Sequence, residues 1–231
     1  LKWPPLITGT LLKRYKRFLA DVRLQDNRVV TAHCPNSGSM ISCSDPESTV
    51  YLSFHDDPKR KLPYTWQLIA MPTSLVGVNT LVPNRLVYRS IADGQVAELT
   101  GFAHIQREVK VGAHSRIDLC LTHPDRPACF VEIKNCTFVQ EGRAMFPDAA
   151  TVRGQKHLTE LASLLASGHR CVMFFLIQRM DARQFQPAEQ IDPTYARMLR
   201  RGFEKGIEIL AYDVRIDLTR ITLNRRLPVI L

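Results

Sequence analysis

Apolar and polar positions alternate most regularly between Glu108 and Asn135, EVKVGAHSRIDLCLTHPDRPACFVEIKN. Val109, Val111, Ile117, Leu119, Leu121, Val131 and Ile133 fall on one side, and Glu108, Lys110, Arg116, Asp118, Glu132 and Lys134 on the other. That is the period of half-buried strands, and it predicts a three-strand meander with one polar face. Upstream, short apolar stretches near 28–33, 49–54 and 62–70 are separated by loops rich in Pro, Gly, Asn and Asp, such as Pro35, Asn36, Gly38, Asp45 and Pro46. Such spacing suggests a small barrel. Pro72, Gly77 and Pro83 punctuate the next stretch, which places a domain boundary there, with 1–80 as a β domain and 81–231 as an α/β domain.

Helical patterns flank the meander. Asn84 to Leu99 reads as a helix bent near Gly94. Residues 152–167 read as a second, with Thr151 as N-cap, Gly168 as stop, and Leu158, Leu161, Ala162 and Leu165 on one face. The run Cys171 to Ile177 fits a strand buried on both faces. Asp192 then caps a helix with Pro193 at its first position, running to about Lys205 before Gly206. Residues 207–213 read as a strand, 214–223 as an edge strand, and the terminal PVIL as a segment docked on the core.

The turns suggest a register for the meander. A first hairpin about Ala113 sets 108 opposite 118 and 110 opposite 116; a second about Asp125 sets 118 opposite 132 and 116 opposite 134. Glu108, Asp118 and Glu132 then form an acidic row beside a basic row of Lys110, Arg116 and Lys134. Directly opposed side chains stand roughly 5 Å apart, and like charges so placed repel. A Mg²⁺ or Mn²⁺ ion would relieve the acidic row, since a hard cation takes a few carboxylates and keeps several waters. The basic row suits a phosphate. The plainer reading is a solvated sheet face of mixed charge, whose alignment a single bulge would break.

Composition narrows the partner. A formal net charge of +9 and a pI near 9.5 favour an anionic partner, nucleic acid first and DNA ahead of RNA. No run of about 18 apolar residues exists, so no membrane span is expected. Six cysteines without CxxC or zinc-type spacing read as reduced thiols of a cytoplasmic protein. The chain opens on Leu1 rather than Met, so residues upstream of it stay open, as does the oligomeric state, a homodimer included.

Two further clusters are candidates for nucleic-acid contact. Lys13, Arg14, Lys16 and Arg17 surround Tyr15 and Phe18, cations interleaved with aromatics as in a groove that tracks a backbone and stacks bases. The alternative is an edge strand protected by its lysines. Arg153, Gln155, Lys156 and His157 gather near the start of the second helix, where the helix N-terminus would reinforce an anion site. The polar loop from His33 to Met40 reads as a turn held by Asn36 and Ser37, or as a lip of the binding site.

Ile117-Asp118, a hairpin, and Glu132-Ile133-Lys134 resemble the D...(D/E)xK signature of the PD-(D/E)xK nuclease superfamily. Around them AHCPNSGSM (32–40), RKLPYTWQL (60–68), VGVNT (76–80), SRID (115–118), VEIKN (131–135), FPDAATVRGQKHL (146–158) and IDPTYARML (191–199) resemble the sugar fermentation stimulation protein A family over nearly the whole chain. The resemblance implies an N-terminal OB-like small β-barrel followed by a PD-(D/E)xK nuclease-like three-layer α/β domain. It also implies sequence-non-specific DNA binding and a regulatory link to maltose use. Carried over by position, Asp118 and Glu132 match the superfamily's metal ligands and Lys134 its lysine. Glu108 is a third candidate ligand, with Glu98 as the alternative upstream acid.

The resulting expectation is a Mg²⁺- or Mn²⁺-dependent phosphodiesterase with Asp118, Glu132, Lys134 and Glu108 as its catalytic set. Two rivals stand beside it. One is a non-catalytic DNA-binding regulator of sugar metabolism, reading through the helix that carries Arg197, Arg200 and Arg201. The other is a glycosidase-like carboxylate pair, against which the lysines and the basic charge argue.

Overall fold

A computed structural model describes residues 1–112 and 115–231; the expected turn about Ala113 lies outside the described residues. The first unit is built from β1 (Leu6–Tyr15), β2 (Leu19–Leu24), β3 (Val29–His33), β4 (Thr49–Phe54) and β5 (Tyr64–Met71), with β6 (Ser74–Gly77) added at β5. The order β3-β2-β1-β4-β5 closes on itself because β3 also pairs, in parallel, with β5. Closure leaves one apolar side per strand inside: Leu11, Ala20, Val22, Leu52, Trp66 and Ile69 are fully buried. This is the expected OB-like barrel. Within it the basic stretch 11–24 is a hairpin, not one strand. Its turn puts Lys16 and Arg17 in the left-handed region, at φ 50° and 64°.

The second unit runs α1 (Val82–Ala92), a 3-10 turn (Ala97–Leu99), β7 (His104–Val111), β8 (Ser115–His123), β9 (Arg126–Cys136), β10 (Phe138–Gln140), β11 (Arg143–Phe146), α2 (Val152–Ala166), β12 (Arg170–Ile177), β13 (Gln184–Pro187), α3 (Pro193–Glu204), β14 (Glu208–Ile216) and β15 (Ile221–Arg226). Its main sheet has the order β15-β14-β12-β9-β8-β7, with β12 parallel to both β9 and β14. On one face Leu86, Val87 and Ile91 of α1 pack on Leu119, Val131 and Phe174. On the other, Leu158 and Leu161 of α2 and Leu199 of α3 pack on Phe130, Met173 and Phe175. Helices on both faces of a mixed sheet make the three-layer α/β core.

Several sequence expectations change here. The meander is not polar on one face. Cys120 and Phe130 are buried toward α2 while Leu119, Leu121, Val131 and Ile133 are buried toward α1, since helices cover both sides of a mixed sheet. Nor do its alternating apolar residues share a side: Ile117, with Val109 and Val111, packs on the α2 side. The switch falls where Glu108, at φ 53°, adopts a left-handed backbone conformation between the pairs Arg107↔Leu119 and Val109↔Ile117. The helix expected to Leu99 stops at Ala92, with Gly94 at φ 71°. The strand expected over 214–223 is a hairpin, β14 turning into the edge strand β15. The small sheet of β10, β11 and β13 has too few residues per strand to show a period.

Barrel and core meet through buried polar groups. Arg179, 3% exposed, donates from Nη1 to Ser42 Oγ and to the Thr137 carbonyl, both at 3.0 Å, and from Nη2 to Asp181 Oδ2 at 2.6 Å. Asp181 in turn accepts the Thr73 hydroxyl. The Met40 amide donates to Asp148 Oδ2 at 2.8 Å. All six cysteines are buried with free thiols. Among the described residues no helix is long and apolar enough to cross a membrane.

Candidate active site

The hairpin joining β8 and β9 turns on Pro124 and Asp125 with a bulge between Leu121 and His123, and together they yield the pairs Leu119↔Val131 and Cys120↔Phe130. Continued by one pair, that offset would set Asp118 opposite Glu132, as the turn-based register predicts. The ladder itself ends there. Asp118 Oδ2 accepts the Ile133 amide at 2.7 Å, and its Oδ1 accepts Asn84 Nδ2 of α1 at 2.6 Å. Two donors thus hold the Asp118 carboxylate in one orientation at the mouth of the split strands.

Glu132 and Lys134 lie two residues apart on β9, so both turn to the α2 side. Lys134 Nζ donates to Glu132 Oε1 at 2.7 Å and lies 3.0 Å from His157 Nδ1. His157, 5% exposed on α2, also contacts Glu132 Oε1 through Nδ1. Glu132 Oε2 is buried with no hydrogen-bond partner.

The two carboxyls are driven apart. Burial, then the negative charge of Glu132, pushes Asp118 up to about 6. Burial works to raise Glu132 too, yet the His157 hydrogen bond and the Lys134 charge outweigh it and hold that carboxyl below its ordinary value. An anion pair of which one member has local cations and the other does not is what a divalent ion would balance. The donor set suits a hard ion, with Asp118 fixed and Glu132 Oε2 unsatisfied.

These groups floor a cavity of about 380 Å³ between barrel and core, walled by Asn36, Ser37 and Gly38 of the barrel loop and by residues 146–151. Arg17 reaches it from the hairpin turn, and Arg153 from the first turn of α2. The loop is held by Arg14, whose guanidinium donates to the carbonyls of Asn36, Gly38 and Ser39 at 2.8 to 3.0 Å. Gly38 leaves room for Asp148: a Cβ there would stand 2.5 Å from its Oδ1.

Glu108, Lys110 and Arg116 line a neighbouring cavity that shares Asn84, Asp118 and Arg153 with the first. Lys110 and Arg116 are paired as expected, but Lys134 is not in their row, because β9 turns it toward α2. The acidic row is divided in the same way. Among the described residues no three His, Cys, Asp or Glu side chains converge as a ready-made metal cluster, so Glu108 is not assembled with Asp118 and Glu132.

The other candidate contacts scatter. Lys13 stands 3.5 Å from Asp21 and over the Tyr15 ring, whose hydroxyl donates to Asp21 at 3.1 Å; both serve the barrel wall. Lys16 is exposed in the hairpin turn. Gln155 donates to both oxygens of Asp192, the N-cap of α3. Lys156 turns to Glu160 at 3.8 Å on the outer side of α2. Only Arg153 and His157 of that cluster reach the cavity. Glu98 accepts the Tyr212 hydroxyl and pairs with Arg226, away from the site. Asn84 and Asp148 were missed: neither carries a periodic signal, although Asp148 sits within the FPDAA word.

Residues 12–78 match the family described as the SfsA N-terminal OB domain, and residues 81–220 match the sugar fermentation stimulation protein RE domain. A sugar fermentation stimulation protein homolog of Geobacter sulfurreducens is 53% identical over 226 residues, covering 98% of this chain and 97% of its own. One of Pelobacter propionicus is 52% identical over 231 residues, covering 100% of both chains. The structure of Pyrococcus furiosus SfsA in complex with Ca²⁺ superposes with a TM-score of 0.91 at 27% identity, over 100% of this chain and 98% of that one.

Proposed function

The chain belongs to the sugar fermentation stimulation protein (SfsA) family, and from that premise and the geometry of its cleft we propose that it is a divalent-metal-dependent phosphodiesterase acting on nucleic acid without strong sequence preference. The observation that carries the reading is the buried, unpartnered Oε2 of Glu132 facing a second carboxylate already oriented by Asn84 and the Ile133 amide. The Ca²⁺ complex of the Pyrococcus furiosus relative is in keeping with a hard cation on these oxygens.

Asp118 and Glu132 would hold Mg²⁺ or Mn²⁺, which supplies Lewis-acid polarisation of a phosphoryl oxygen and a more acidic bound water. The chain's own groups do the rest. Lys134, whose Nζ lies beside Glu132 Oε1, would orient the attacking water and offset the charge that grows on the phosphoryl oxygens. His157 Nδ1 contacts both Glu132 Oε1 and Lys134 Nζ and so positions the pair. Arg17 and Arg153, which both line the cleft, would meet the phosphate. Lys110 and Arg116 line the neighbouring basin and extend the path of the backbone.

A second reading is a nucleic-acid-binding regulator that does not cut. One observation favours it: Glu132 Oε1 already satisfies Lys134 and His157, a closed arrangement that a resting scaffold could keep. Incubation of the purified protein with labelled single- and double-stranded DNA and RNA, in Mg²⁺, Mn²⁺ or EDTA, separates the two. Metal-dependent loss of intact strands supports the enzyme. Binding without any cleavage in either metal refutes it.

A further inference from the structure

On the far side of the Thr80–Leu81 ridge from the catalytic cleft lies another cavity, of about 300 Å³, lined by Lys2, His33, His55, Arg60 and Arg85 among others. The two cavities stand back to back. Asn36, Thr80 and Asn84 line the cleft, and their neighbours Pro35, Leu81 and Arg85 line the basic pocket. The ridge between them is tied to the barrel loop, because the Thr80 amide and hydroxyl both donate to the Pro35 carbonyl, at 3.1 and 2.6 Å. Leu81 tops it, 68% exposed and at the N-cap position of α1 without a side-chain cap.

No carboxylate lines this pocket. Among the described residues, none of its three fixed cations and two imidazoles pairs with an acidic group. Burial, and then the charge of Arg60, holds both His33 and His55 below the ordinary imidazole value. The wall behind them is a fixed chain of amides and hydroxyls. His55 Nε2 lies 3.1 Å from Ser53 Oγ, which accepts Gln67 Nε2 at 2.9 Å; Gln67 Oε1 accepts Asn79 Nδ2 at 2.8 Å. Gln178 Nε2 then bridges the Asn79 carbonyl and Asn135 Oδ1 of the cleft, at 3.2 and 2.7 Å. Unpaired arginines on solvated loops are ordinary, but here Lys2, Arg60 and Arg85 line one cavity whose other walls are largely apolar, Trp3, Pro4 and Val82 among them, and cations gathered there without a counter-ion match a phosphate.

We propose that this pocket is a second phosphate subsite, holding the backbone of a single nucleic-acid strand where it leaves the cleft over Leu81. The inference rests on the nucleic-acid reading of the cleft, but not on catalysis there. A single strand fits the ridge because its flexible backbone can bend between adjacent phosphates.

The test is binding in EDTA, where metal-dependent cleavage does not intervene. An end-labelled single-stranded DNA of about a dozen nucleotides, enough to span an OB-type site, is titrated into the parent and an Arg60→Gln/Arg85→Gln variant. The variant is expected to bind about tenfold more weakly. Its slope of log affinity against log salt should be shallower by about 1.4, since each cation lost from a single-strand site removes about 0.7. A dinucleotide, too short to span cleft and pocket together, should bind both proteins equally. Thermal melts check the fold, and Arg85→Glu alone, at an exposed helix position, is the substitute if the double variant does not fold. Unchanged affinity and salt slope for the long strand overturn the proposal. So does occupation of the pocket by AMP or inorganic phosphate, seen as His55 imidazole shifts in NMR, without any effect of the variant on strand binding. Absence of cleavage in Mg²⁺ would count against the phosphodiesterase reading and leave this comparison intact.

Discussion

Lys134 Nζ stands 2.7 Å from Glu132 Oε1, and the two residues, next-but-one on β9, share His157. Asp118, facing them from β8, has no cation of its own within 4 Å among the described residues. The two carboxylates of the cleft are therefore unequal, and that inequality makes opposite predictions for their removal.

Asp118→Asn should abolish Mg²⁺-dependent cleavage, by at least about 100-fold given the worth of an oriented charge in a buried site, while strand binding in EDTA changes little. The metal-free protein should also melt at an equal or higher temperature, because a repelled carboxylate is gone, the amide oxygen can still accept from Ile133, and a flipped Asn84 can accept the new amide N–H. Undiminished cleavage by the variant rejects the metal assignment.

Glu132→Gln should do the reverse to stability. It strips Lys134 and His157 of their counter-charge in a buried setting, and breaking such a pair costs about 3 kcal/mol or more. Urea denaturation in EDTA measures it; a variant as stable as the parent would mean that Lys134 finds solvent instead.

The pH dependence of the metal-free protein carries a defined sign. With Asp118 pushed up to about 6 when folded and near about 3.9 when unfolded, the native state binds its proton more tightly. The stabilisation from this group is complete below about pH 4 and is lost as pH rises through about 6. Urea melts in EDTA should show this decline in the parent and not in Asp118→Asn. Parallel curves would refute the coupling.

Arg17→Gly separates conformation from charge. Glycine suits the left-handed φ of 64°, and relief of that strain stabilises by about 1 kcal/mol. The same change removes a guanidinium from the wall of the cleft, so kcat/KM on an oligonucleotide should fall about tenfold or more while the melting temperature holds or rises. A fall in both would make Arg17 a structural residue.

Arg179→Ala should loosen the barrel from the core. Its guanidinium joins Ser42, Thr137 and Asp181 in a buried position, and its loss leaves Asp181 partly unpaired, at a cost of about 3 kcal/mol. Limited proteolysis should then cut between the units, near Met71 to Asn84, faster than in the parent. Equal cutting rates would show that docking rests on other contacts.

Alternation and turn chemistry were enough to locate the strands of the meander, the caps of α2 and α3, and the facing of Asp118 and Glu132, because all of these are local or depend on the length of one hairpin. Family-specific words extended that to the barrel and the three-layer core. The side to which each strand residue points was not legible. A period of two records which residues differ from their neighbours, not how many layers cover a sheet, so the burial of both faces and the switch at Glu108 had no signal. Nor could it be read that Lys134 leaves the basic row for Glu132 and His157, that Gln155 serves Asp192, or that Arg17 reaches the cleft from another domain. Those placements depend on contacts between residues far apart in the chain, and the packing of α2 on β9 and of the barrel loop on residues 146–151 decides them.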